Sequence, residues 1–181
     1  MIVLALLLAL ADDTALPDLD PVAQAALALA EGAAAEGGDP RRLGVAARRL
    51  EQLGARPAAG GPDAALRFRA AAASRGVSAG PPFRGRALGP AYREGSLAAG
   101  ASISTSQVFL AGQKAAVALV PADGTPLTIR IGESGKPAPI CERSIAAPRG
   151  GCSWMPIFTR RVEITVINRA QRPARYWLVS N

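Results

Sequence analysis

The hydrophobic positions of this 181-residue chain change period near Pro90. Before it, apolar residues recur at helical spacing in short stretches cut by glycine and proline. After it, they alternate with polar residues, as on a half-buried strand. Asp20-Pro21 places an N-cap before a proline at the first helical position and predicts a helix from Val22 to Ala35, weakened by Gly32 and ended by Gly37-Gly38. Asp39-Pro40 repeats the signal, and Leu43, Ala46, Ala47, Leu50 and Leu53 keep helical spacing until Gly54. Gly61-Pro62-Asp63 opens a third helix, with Leu66, Phe68 and Ala72 on its apolar side and Gly76 past its end. Helices this short do not persist alone, so they must dock on each other, on the C-terminal half of the chain, or on a partner. No side-chain pattern recurs between the three starts, which argues against a solenoid.

Residues 77–90 hold Gly80, Pro81, Pro82, Gly85, Gly89 and Pro90, the composition of a linker. Strands are then predicted over Ser102 to Leu110, Gln113 to Val120 and, after the Asp123-Gly124 turn, Leu127 to Ile131. Further strands are expected at Ile140-Cys141, over Cys152 to Phe158, over Arg161 to Val166, and from Tyr176 to Val179. About seven short strands predict an antiparallel sandwich. The fold class is therefore an all-β, jelly-roll-like sandwich preceded by a small α-helical region, α+β overall. The expected organisation is a signal peptide at 1–11, an acidic leader with Ala-rich helices at 12–76, a linker at 77–90 and a sandwich at 91–181.

The run Leu127-Thr-Ile-Arg-Ile131, the cysteine-bounded loop, the stretch from Phe158 through Val166-Ile-Asn168 and the closing Tyr176-Trp-Leu178 resemble the bacterial pre-peptidase C-terminal domain. The resemblance covers about half the chain. It departs from the family where Arg161 or Val162 replaces a usual tyrosine and where the aspartate-rich opening is missing. It implies a jelly-roll-like, non-catalytic accessory domain of secreted proteins, often found beside protease domains.

Met1 to Ala11 is an unbroken apolar run, MIVLALLLALA, too short for the ~20 residues a bilayer span needs. It ends in Ala9-Leu10-Ala11 with acids directly after, which predicts a signal peptide cleaved before Asp12, although no Lys or Arg precedes the run. The alternative is a buried N-terminal helix or strand. Two cysteines fit export: in an oxidising compartment they allow one pairing, Cys141–Cys152, and with no histidine anywhere two thiolates do not make a zinc site. Trp154, two residues after Cys152, is expected to pack on that disulfide. The expected address is the periplasm or extracellular space, with no transmembrane segment after cleavage.

Charge alters this picture in one respect. Asp12 to Pro40 carries seven acids and no bases, whereas Arg41 to Pro90 carries ten arginines and two acids. Either the two stretches neutralise each other within the chain, or the net +7 serves a polyanion-binding surface. No nucleic-acid-binding signature accompanies the arginines. Arg41, Arg42, Arg48 and Arg49 form a stripe on one helix face, expected to be solvated or to dock the acidic leader. Catalysis has few carriers, because the missing histidine removes Ser-His and Cys-His schemes. Gly132-Glu-Ser-Gly135-Lys136 lacks the first glycine and the Ser/Thr of a phosphate loop. Asp123, Glu133, Glu142 and Glu163 could supply a carboxylate pair for hydrolysis, but their spacing brings no two together. No cofactor is expected.

The alternation offers one candidate surface. If Val162, Ile164, Val166, Tyr176 and Leu178 face the core, Arg161, Thr165, Arg175 and Trp177 face outward together on the last hairpin and could hold a sugar or a protein partner. Alternatively, the helical half covers Trp177, or a slipped register turns it inward. The leading expectation is an exported accessory protein whose partner is another exported or envelope protein. The alternative is an acidic-glycan or polyanion binder, and a carboxylate hydrolase is the remote third.

Overall fold

The computed structural model describes residues 20–81, 88–133 and 135–181. The signal peptide expected at 1–11 and the middle of the expected linker lie outside the described residues. Three helices come first among the described residues: α1 (Pro21–Ala35), α2 (Pro40–Leu53) and α3 (Ala64–Ala73). Each begins where an aspartate caps it, Asp20 accepting from Ala23 N, Asp39 from Arg41 N and Asp63 from Leu66 N. Gly54 ends α2 in the left-handed conformation, φ 63°. Between α2 and α3, β1 (Arg56–Pro57) pairs in parallel with the start of β2 (Ala91–Leu97).

Among the described residues seven strands come after β2: β3 (Ser102–Phe109), β4 (Ala115–Pro121), β5 (Leu127–Gly132), β6 (Pro139–Ile145), β7 (Gly150–Trp154), β8 (Arg160–Ile167) and β9 (Ala174–Ser180). They form two sheets, ordered β1-β2-β9-β4-β7 and β3-β8-β5-β6, antiparallel throughout apart from the short β1–β2 pairing. The fold is α+β: a β-sandwich with N-terminal helices laid on one sheet.

That third layer creates two cores. Between the sheets lie Phe109, Leu119, Ile129, Ile131, Val162, Ile164, Val166 and Leu178. Between the five-stranded sheet and the helices lie Val22, Leu29, Leu43, Leu50, Phe68, Tyr92, Val120, Trp177 and Val179. The middle of the five-stranded sheet is thus buried on both faces, which is why β4 is buried at every position and reads as a continuous apolar run. Close approach is built from small residues. Gly32 in α1 sits where any Cβ would collide with the Phe68 ring of α3. Arg69 of α3 pairs with Glu51 of α2 at 2.6 Å. The Tyr92 hydroxyl donates to Asp63 Oδ1 (3.1 Å) and accepts from Ala64 N (3.0 Å), tying the start of α3 to β2.

Cys141 of β6 and Cys152 of β7 form the expected disulfide, with Cα atoms 6.2 Å apart. Because β6 ends one sheet and β7 the other, the bond joins the two sheets at one side of the sandwich. Trp154 packs edge-on against Phe109, ring centroids 4.9 Å apart. The strands differ from expectation at β1, at β2, in the length of β6 and after Trp154. The sequence pattern does not announce β2, since Gly95 and two charged residues hide its alternation. The stretch Cys152 to Phe158 is not one strand: β7 stops at Trp154, because Pro156 has no N–H to give a ladder.

Candidate functional site

β3 and β7 end on the same side of the sandwich as β8 begins, so the loops at 110–114 and 155–159 lie together. Ala111 N donates to Thr159 Oγ1 (3.0 Å) and Gly112 N to the Pro156 carbonyl (2.9 Å), fixing one loop against the other. These loops carry Leu110, Met155, Ile157 and Phe158, each between 51% and 79% exposed. Their side chains contribute little to either core. Arg160 rims the cluster, its guanidinium carbon 5.9 Å from the Phe158 ring centroid and its Nη1 paired with Glu133. Glu133 also binds Lys136. The Phe109–Trp154 pair props the loops from below.

The surface expected from Arg161, Thr165, Arg175 and Trp177 does not assemble. β8 and β9 are not a hairpin; they belong to opposite sheets. Arg161 and Thr165 lie on the outer face of the four-stranded sheet, reaching Ser106 Oγ (3.4 Å) and Ser104 Oγ (2.8 Å) respectively. Arg175 is exposed on β9. Trp177 is fully buried under the helices, edge-on to Tyr92 at 5.8 Å and with the Arg67 guanidinium 5.0 Å from its ring centroid. Its burial is the alternative in which the helical half covers it.

The four candidate carboxylates are dispersed. Asp123 sits in the β4–β5 turn and accepts from the backbone of Thr125 (3.0 Å) and Arg175 (2.9 Å). Burial by itself would raise its pKa, but these amide donors outweigh it and hold the carboxyl below its ordinary value. Glu133 is at the opposite end of the sandwich, between Lys136 and Arg160. Glu142 faces Arg130 and Arg169 (3.6 and 3.7 Å), while Glu163 lies two strands away on β8. A depression of about 510 Å³ beside the disulfide holds Asp20 and Glu142, and both are already ion-paired. Among the described residues no group of three or more Cys, Asp or Glu could hold a metal ion, and no helix is long and apolar enough to cross a membrane.

Acids of the N-terminal stretch do meet arginines of the next: Glu31 pairs with Arg49 (2.8 Å) and Glu36 with Arg67 (3.1 Å). Arg41, Arg42 and Arg48 remain exposed on α2.

No protein-family model matches the chain, and neither does any curated protein. Parts of it are similar to solved structures. One is PliG of Aeromonas hydrophila, a periplasmic inhibitor of g-type lysozyme, at 17% identity over 51% of this chain and 84% of that one, TM-score 0.40. Another is the pre-peptidase C-terminal domain of Bacillus anthracis collagenase, at 11% identity over 50% of this chain and 87% of that one, TM-score 0.42. The similarity to the pre-peptidase C-terminal domain is loose and spans about half of this chain.

Proposed function

We propose that the protein is exported and works as a non-catalytic interaction module, gripping another exported or envelope protein with the apolar loop tip. The exposed cluster of Leu110, Met155, Ile157 and Phe158 carries this reading, because nothing in the fold is gained by leaving it in water. Phenylalanine, methionine and arginine, three of the side chains present here, are enriched in protein interfaces. The disulfide supports an oxidising address. Against catalysis stand the absence of histidine from the sequence and the dispersal of Asp123, Glu133, Glu142 and Glu163. A photo-crosslinking amino acid at Ile157, in producing cells, is expected to capture a discrete partner band that the same probe at exposed Leu66 does not. Identical patterns at both positions would refute the reading.

A second reading rests on Arg41, Arg42 and Arg48, which make no ion pair among the described residues and share the outer side of α2. Such a face suits an acidic glycan or other polyanion. Salt-sensitive retention on an anionic polysaccharide column, abolished by R41Q/R42Q/R48Q, supports it; elution in the void at low salt removes it.

A further inference from the structure

A β-sandwich exposes the outer edges of its sheets, and each bare edge is a row of unpaired N–H and C=O groups able to recruit another strand. Three of the edges here are blunted. β6 carries Pro139, Glu142 and Arg143, and its pairing with β5 shifts register between Ile131 and Gly132, leaving Ile140 as an extra residue. β7 is five residues long, begins with two glycines and is tied down by the disulfide. The flank of β2 is covered by β1 over Ala91 and Tyr92, and the part left open carries Arg93 and Glu94.

β3 has none of these protections. It is eight residues long, Ser-Ile-Ser-Thr-Ser-Gln-Val-Phe, with no charge and no proline. It pairs with β8 through eight consecutive partners without a bulge, and among the described residues nothing pairs with its other flank. Ile103 and Val108, near its two ends, are about half exposed at 50% and 47%. The strand is also held firmly in place: Gln107 donates to the Asn181 carbonyl (2.6 Å) and accepts from Ser180 Oγ (2.8 Å), while Arg93 reaches Thr105 Oγ1 (3.3 Å). An edge already rigid gives up little entropy when a partner strand is added.

We propose that β3 is a self-association edge, at which β3 of a second copy adds in antiparallel orientation and joins the two four-stranded sheets into one of eight strands. The occupant is a second copy because an antiparallel pair of identical strands is self-complementary about a two-fold axis, so each β3 meets its own sequence. An uncharged strand meets no like-charge pair in doing so, whereas β2 or β6 would set its own charges against themselves. This goes beyond the tip-binding reading and uses a different surface.

The test is sedimentation velocity of the purified full chain over a concentration series, with three variants. I103K/V108K places charges at both ends of the edge, V108K is the milder single change, and I157S/F158S removes the apolar tip. The expected result is a monomer–dimer equilibrium in the wild type and in the tip variant. The dissociation constant should rise at least about tenfold in I103K/V108K, and rise in V108K, each with an unchanged melting temperature. A wild-type monomer at every concentration overturns the proposal. So does a dimer that the tip variant abolishes and the edge variants leave intact, which would move self-association to the tip. Failure of tip crosslinking with an intact β3 dimer would strike only the interaction reading.

Discussion

Gly32 illustrates what single residues contribute. In isolation a mid-helix glycine weakens α1, yet here it is the seat of the Phe68 ring. Replacing it with alanine is expected to cost about 1–3 kcal/mol through forced repacking, read by chemical denaturation. Gly37→Ala, where a Cβ meets nothing within 4 Å, is the control and should not destabilise. Tyr92 works through its hydroxyl: burial first, and then the Asp63 carboxylate, push its pKa well above the ordinary value, so it remains a donor under any physiological condition. Asp123 gives a pH signature. Its lowered pKa means that its contribution is fully present above the unfolded value and is lost as pH falls through the lowered folded one. The stability difference between wild type and Asp123→Asn should therefore be largest near neutral pH and close below about pH 4, as read by melting temperature across a pH series.

Elements are legible in the sequence wherever one local signal fixes them. The Asp-Pro pairs at 20–21 and 39–40 and the cap at Asp63 place all three helices, and Val162, Ile164 and Val166 place β8 with the right face inward. β2 escapes because only Tyr92 and Leu97 are apolar along it. Trp177 cannot be assigned a face, since β9 reads Tyr-Trp-Leu-Val without alternation, and only the docked helices explain a strand that is apolar on both sides. The tip is hidden for a related reason: Met155, Ile157 and Phe158 look like strand residues until Pro156 is seen to break the ladder. The disulfide is the clearest long-range element, and its eleven-residue separation sets its weight. C141S/C152S should lose about 3 kcal/mol in denaturant titrations while keeping its far-ultraviolet spectrum.

At the scale of the molecule, the helices form part of the core. Without residues 20–81, the sheet of β2, β9, β4 and β7 would present Tyr92, Ala116, Ala118, Val120, Trp177 and Val179 to water. A fragment beginning at Leu88 is therefore expected to aggregate or to bind a hydrophobic dye, with the emission of Trp177 shifted to the red. A monomeric fragment melting at the temperature of the full chain would show instead that the sandwich is self-sufficient.

β9, last in sequence among the described strands, lies in the middle of its sheet, clasped by β2 on one side and β4 on the other. Neither neighbour can reach the other until residues 174–180 have been made, and the layer on which the helices rest does not exist before then. A variant that lacks residues 174–180 should therefore lose the protease resistance of the full chain, as read by limited proteolysis.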